Sequence, residues 1–235
     1  MGNITETVKH LIILNVILFV VPQFLNLDLT NILALHFPQN EHFGFWQYLT
    51  STFMHGSFGH ILFNMYGLYA FGTPLEQIWG KKKFLFFYFS TGIGASIIYT
   101  LVNYYQFNDA FEKLIELGAT KMEIMKLMDP TLIFNDEILQ TVNSLYNTSA
   151  LGASGAVYGV LVAFGLYFKE AKLAMIFFPI PIAAKYFIPI LLLGDLFFGM
   201  TRYSVGNIAH FAHVGGALVG FIIAWYWKKN QFKFS

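Results

Sequence analysis

The chain has 235 residues, of which 56% are hydrophobic and only 11% charged, against about 25% charged in a soluble domain. So few charges cannot cover a water-facing surface, and the apolar excess must face lipid. A net charge of +1 gives no basis for a nucleic-acid partner, and the absence of cysteine excludes disulfides, thiolate metal sites and a cysteine nucleophile.

Apolar stretches of about 17–25 residues can cross a bilayer as helices. Such stretches predict six spans, at 9–25, 58–79, 83–105, 152–169, 182–201 and 206–227. The expected fold is therefore all-α, a polytopic bundle of six transmembrane helices forming a single domain over 1–235. Val21, Pro22 and Gln23 end the first run in place of a small-residue cleavage site, and Glu6 stands near its start. It reads as a retained helix rather than a signal peptide.

Two long connections are expected on the outer side. Residues 26–57 hold no Lys or Arg and carry Phe43, Phe45, Trp46 and Tyr48, aromatics suited to the membrane interface. Residues 106–149 predict two amphipathic helices. The first is capped by Asn108, has Asp109 and Glu112 in its first turn, and aligns Phe111, Leu114, Ile115, Met122 and Met125; Pro130 follows its end. The second is capped by Asn135 and has Ile138, Leu139, Val142 and Leu145 apolar.

Charge orients the bundle. With the N-terminus inside, Lys9, Lys81, Lys82, Lys83, Lys169, Lys172, Lys185, Lys228, Lys229 and Lys233 fall on the inner face, and Lys113, Lys121, Lys126 and Arg202 outside. Ten of the 14 basic residues then obey the positive-inside rule. Thirteen Lys against one Arg fits an AT-rich bacterial genome. The expected location is a bacterial inner (plasma) membrane, multi-pass, with both termini cytoplasmic.

Polar groups inside spans are expensive and need a reason. His60 and Asn64 are four residues apart, so they share a helix face near the outer end of the second span. Ser154, in Gly152-Ala153-Ser154-Gly155, opens the fourth span. Small residues there also serve close packing, since Gly155 and Gly159 make a GxxxG. The stretch does not fit the GxSxG pattern of soluble hydrolases, because Gly155 follows the serine directly. His213 lies in the sixth span, three residues before a second GxxxG of Gly216 and Gly220. Two glycine-surfaced helices packed together would bring serine and histidine within reach. A serine needs such a base to become nucleophilic, and the oxyanion that follows needs donors. His60, Asn64 and the backbone N–H of Ser154 are candidates. Asp195, inside the fifth span, is expected to make a helix-to-helix hydrogen bond.

The stretches HGSFGHILFNMYGLYAFG, GASGAVYG and AHFAHVGGALVG closely resemble the signatures of rhomboid intramembrane serine proteases, over roughly residues 43–227. The resemblance implies that Ser154 is the nucleophile and His213 its base, a dyad without an acidic member. It implies that Tyr158 packs against the imidazole and that His60 and Asn64 stabilise the oxyanion. Gly72, Glu76 and Gly80 match a structural motif, and His55 and His210 match fold-stabilising positions. The family commonly has a Trp-Arg pair in its first outer loop, where this chain has Trp46 and Gln47. The implied partners are transmembrane protein substrates and the lipid bilayer, with no nucleic acid, no cofactor and no metal; HExxH is absent. The alternative is a non-catalytic rhomboid-like protein that binds membrane clients. A haem or metal role for His60, His210 and His213 is a further rival.

Overall fold

The computed structural model describes residues 3–175, 178–200 and 209–230. Arg202, Lys233 and the expected span residues 201 and 206–208 lie outside these. The elements in order are α1 (Glu6–Phe24), α2 (Thr30–Leu33), α3 (Gln47–Thr50), a 3-10 turn at Ser51–Phe53, α4 (Phe58–Gly67), a π turn at Leu68–Gly72, α5 (Thr73–Glu116), α6 (Lys121–Lys126), α7 (Glu137–Asn147), α8 (Ser154–Tyr167), β1 (Lys172–Met175), β2 (Phe178–Ala183), α9 (Ala184–Met200) and α10 (His210–Asn230). Among the described residues, two helical runs, Glu6–Phe24 and Phe58–Glu116, are long and apolar enough to cross a membrane.

The chain is mostly helical, with one correction to the all-α expectation. Between α8 and α9, β1 and β2 pair antiparallel, Lys172 opposite Ala183 and Leu173 opposite Ile182. Pro179 and Pro181 explain this: each removes a backbone donor and biases its predecessor to extended backbone, so the helix expected from residue 182 begins only at Ala184.

The core lies where α8 packs on α5 and α10. Phe84, Phe87 and Tyr88 of α5 are fully buried there with Val160 and Ala163 of α8. Outward from this core, Ile13, Ile17 and Val21 of α1, Phe86 and Leu101 of α5, Ile190, Leu193 and Phe197 of α9, and Phe221, Ile222 and Trp225 of α10 are exposed. So much apolar surface on so many helices matches a lipid solvent.

Glu76 fixes α1 to this core. Its carboxylate accepts from the Thr5 hydroxyl at 2.5 Å and from the N–H groups of Thr7 and Val8 at 3.1 and 3.0 Å, satisfying donors that the start of α1 leaves free. Lys228 donates to the Leu166 carbonyl at 2.5 Å and Lys185 pairs with Glu170 at 2.7 Å.

The opposite end departs from expectation in detail. Non-helical backbone at Gly80 divides α5, and the part beyond it is roughly 54 Å long by its rise per residue. That exceeds the ~30 Å thickness of a hydrocarbon layer. Asn108 caps nothing and sits inside α5, where Phe107, Ala110 and Leu114 are buried and Lys113 pairs with Asp109 at 2.6 Å. The helix ends instead in a Schellman motif, with Gly118 N–H on the Ile115 carbonyl and Ala119 N–H on that of Leu114. Thr120 and Glu123 then form a capping box that starts α6. The cap of α7 is Asp136, not Asn135: its Oδ1 accepts from the N–H groups of Ile138 and Leu139, both at 2.9 Å. Phe37, Phe107, Leu114, Ile124, Met128 and Val142 close a second small core, so residues 106–149 form a lobe with its own interior rather than two helices lying separately on the surface.

Candidate active site

The two outer connections meet beside the start of α8. Leu35 and Ala150 exchange backbone hydrogen bonds, both 2.8 Å. Two residues on, Gly152 adopts φ +133° and donates its N–H to the Ser51 carbonyl at 2.9 Å. Only glycine suits that backbone, and a Cβ there would stand 2.7 Å from the His60 ring. The turn delivers Ser154 as the first residue of α8. Ala153, before it, supplies no side-chain cap, so first-turn N–H groups keep their partial positive charge.

Glycines set how closely α10 approaches. A Cβ on Gly216 would collide with the Gly155 carbonyl, and one on Gly220 would come 2.6 Å from the Gly159 Cα. At this contact His213 Nε2 lies 2.9 Å from Ser154 Oγ. Tyr158, one turn after Ser154, stacks on His213 with ring centroids 4.2 Å apart and planes 11° from parallel.

On the other side stands α4, whose first turn is capped by the Ser57 hydroxyl accepting from His60 N–H at 3.2 Å. His60 packs edge-on to His55, centroids 5.0 Å apart, and His55 Nε2 accepts from the Ala153 N–H at 3.5 Å. Asn64, a turn below His60, is buried, and its side-chain N–H₂ has no acceptor among the described residues. The structure thus brings Ser154, His213, Tyr158, His60 and the four glycines into one place, with Asn64 next to His60 on α4. A small cavity beside Ser154 is lined by Ser51, Thr52 and Ser96.

Two features escaped the sequence. Asp195 does bond from helix to helix, but to both histidines of α10: its Oδ1 lies 2.7 Å from His210 Nδ1 and 3.0 Å from His213 Nδ1. The three side chains bring their ligand-type atoms within 4.8 Å of one another, close enough for a cation or for direct N–H to carboxylate bonds. A charge inside an apolar span was the one signal available. The second feature is Gln47. Buried completely, it accepts from His36 N–H at 3.1 Å and donates to the carbonyls of His42, Asn31 and Ile32 at 2.7, 3.3 and 3.3 Å. The loop where the resemblance implies a Trp-Arg pair is organised here by an amide, and His36 is buried within it.

Residues 42–230 match the family profile described as the rhomboid domain. Among similar proteins are the mitochondrial rhomboid protein 1 of Saccharomyces cerevisiae, 26% identical over 76% of this chain and 41% of its own length; the mitochondrial RHOMBOID-like protein 12 of Arabidopsis thaliana, 31% over 79% and 47%; and the rhomboid protease AarA of Providencia stuartii, 25% over 76% and 54%. The chain spans about half the length of these relatives. They correct the expected location. Rhomboids named mitochondrial, from yeast, Arabidopsis and cattle, point to a mitochondrial membrane in place of a bacterial plasma membrane with cytoplasmic termini. The Lys-over-Arg excess carries no information on compartment. With a domain match over four-fifths of its length, the chain belongs to the rhomboid family.

Proposed function

We propose that this chain is an intramembrane serine endopeptidase that cleaves transmembrane protein substrates with Ser154 and His213. The observation that carries this reading is the 2.9 Å contact between His213 Nε2 and Ser154 Oγ, at a helix start, in a family with a named protease among its members. The bundle crosses the membrane six times in this reading, with α8, α9 and α10 added to the spans of α1, α4 and α5. At 14 residues, α8 is about 21 Å long, shorter than the ~30 Å hydrocarbon layer. Ser154 therefore opens into a recess below the outer boundary, which water must reach from the polar end.

The chemistry follows from the contacts. His213 Nε2 takes the Ser154 proton as Oγ bonds to the scissile carbonyl carbon. Negative charge passes to the carbonyl oxygen, where the Ser154 backbone N–H, His60 and Asn64 donate. The C–N bond breaks as the proton on Nε2 moves to the leaving nitrogen. Water, deprotonated by the same nitrogen, then releases the acyl group and restores Ser154. The buried Asn64 amide supports its assignment: a donor unpaired in the resting protein is costly to keep and is available to an oxyanion. Tyr158 holds the plane of His213, and Gly155, Gly159, Gly216 and Gly220 hold the two helices close enough for the transfer.

The test is cleavage of a single-span membrane substrate by the purified full chain in detergent or proteoliposomes. Ser154→Ala and His213→Ala are expected to abolish cleavage while folding persists, and a fluorophosphonate is expected to label Ser154. A folded wild-type protein that binds such substrates without cutting them would favour the client-binding alternative, and cleavage surviving in Ser154→Ala would end the serine-protease reading.

A further inference from the structure

We infer that Asp195 is the third member of the proteolytic site, a positioning residue that acts through His213; this rests on the Ser154–His213 reading above. The argument begins with hydrogen-bond inventory. An ionised carboxylate only accepts, and a neutral imidazole carries one N–H and one bare nitrogen. His213 Nδ1 lies 3.0 Å from Asp195 Oδ1, so that nitrogen carries the hydrogen. Nε2 is then bare, and it is the nitrogen that faces Ser154 Oγ at 2.9 Å. The carboxylate thus selects the one tautomer able to accept the serine proton.

His210 completes the arrangement. Its Nδ1 lies 2.7 Å from the same oxygen, so two N–H groups, three residues apart on α10, converge on one acceptor of α9. The Tyr158 hydroxyl of α8 lies near this carboxylate as well, and His60 of α4 stands close to His213. Asp195 is 8% exposed and His210 7%, so water competes little for these bonds. When His213 takes the serine proton it becomes a cation, and Asp195 supplies the countercharge at hydrogen-bond distance. A helix tie alone would need one bond to any donor on α10. Here both bonds go to imidazoles, and one of them is the base.

Direct bonding and a metal exclude each other at this place. A cation on His213 Nδ1 would displace its hydrogen to Nε2, turning the base into a donor toward Ser154.

The experiment uses the full chain with a transmembrane substrate, and compares wild type, Asp195→Asn, Asp195→Glu, Ser154→Ala and His213→Ala. An amide at 195 keeps the size, carries no countercharge, and can turn its NH₂ toward Nδ1 to favour the wrong tautomer. Asp195→Asn is expected to lower kcat by roughly 10²- to 10⁴-fold with KM within about threefold, and Asp195→Glu to recover part of the loss. Wild-type kcat in folded Asp195→Asn, with Ser154→Ala inactive, overturns this inference and leaves the dyad intact. Cleavage persisting in Ser154→Ala overturns the underlying reading instead. Should the 195 variants fail to fold, wild-type protein labelled with 15N-histidine decides. A His213 Nδ1–H resonance far downfield, lost in His213→Ala, supports the assignment, and the Nε2–H tautomer in the resting protein overturns it. Activity lost to EDTA and restored by zinc would also overturn it.

Discussion

Tyr158 lies face to face with His213, centroids 4.2 Å apart, so the imidazole is held in one plane by a ring from the same helix that carries Ser154. Stacked aromatic pairs contribute about 0.5–1.5 kcal/mol beyond their burial. Tyr158→Phe, which keeps the ring, should retain kcat within about threefold, and Tyr158→Ala should lose roughly 10-fold. Steady-state cleavage of a membrane substrate measures both. Equal losses in the two would move the role from the ring to the hydroxyl.

Asn64 permits a separation of function from stability. Its N–H₂ group is buried with no acceptor among the described residues, and a buried unpaired donor costs about 1–3 kcal/mol. Asn64→Ala should therefore lower kcat by roughly 10²- to 10³-fold and leave Tm in detergent unchanged or raised. A large drop in Tm with kcat per folded molecule preserved would make Asn64 a scaffold residue.

The glycine contact sets the distance on which the serine chemistry depends. Gly216→Ala forces α10 away from the Gly155 carbonyl, and overpacking of this kind costs about 1–3 kcal/mol. The expected result is a Tm lowered by several degrees together with slower fluorophosphonate labelling of Ser154. Gly194→Ala, where an added methyl meets open space, is the control and should change neither. If Gly216→Ala labelled at the wild-type rate, the helices would tolerate more separation than the packing implies.

These residues also show what the sequence could and could not reveal. The pairing of α8 with α10 was legible because two GxxxG stretches each stand beside a polar residue, and small residues facing each other have few other uses. The lobe was half legible. Apolar periodicity located α7, but the single helix expected from Asn108 is instead the end of α5 and a separate α6: asparagine favours caps in general, whereas the buried face of Phe107, Ala110 and Leu114 carries α5 straight through Asn108. The Thr120–Glu123 spacing that starts α6 is itself a capping-box pattern. The Asp195 contacts were beyond reach: a charge in a span signals cost, but its partners depend on how α9 and α10 lie in register, and no local pattern encodes that.

The last prediction concerns Gln47. It follows Trp46 where the family resemblance implies an arginine, and its neutral amide suits a site of backbone groups. Its oxygen takes the His36 N–H, and its nitrogen reaches the carbonyls of Asn31, Ile32 and His42. Trp46 Nε1 donates to the same Ile32 carbonyl at 2.7 Å, so residues 31–42 are tied to α3 from two side chains. Removing the amide strands buried backbone groups, each worth about 1–3 kcal/mol. Gln47→Ala should therefore raise amide hydrogen exchange across 31–42 by at least about 10-fold. Exchange in α8 and α10 should hardly change, because their contact is made by glycines rather than by this loop. Since Leu35 also bonds Ala150 just before the serine turn, Ser154 labelling is expected to slow by a few-fold at most. Gln47→Arg is the sharper variant: a guanidinium can donate to the three carbonyls but cannot accept from His36, so exchange should rise around His36 and stay low at 40–42. Unchanged exchange in Gln47→Ala would mean that Trp46 and the Leu35–Ala150 pair hold the loop without it.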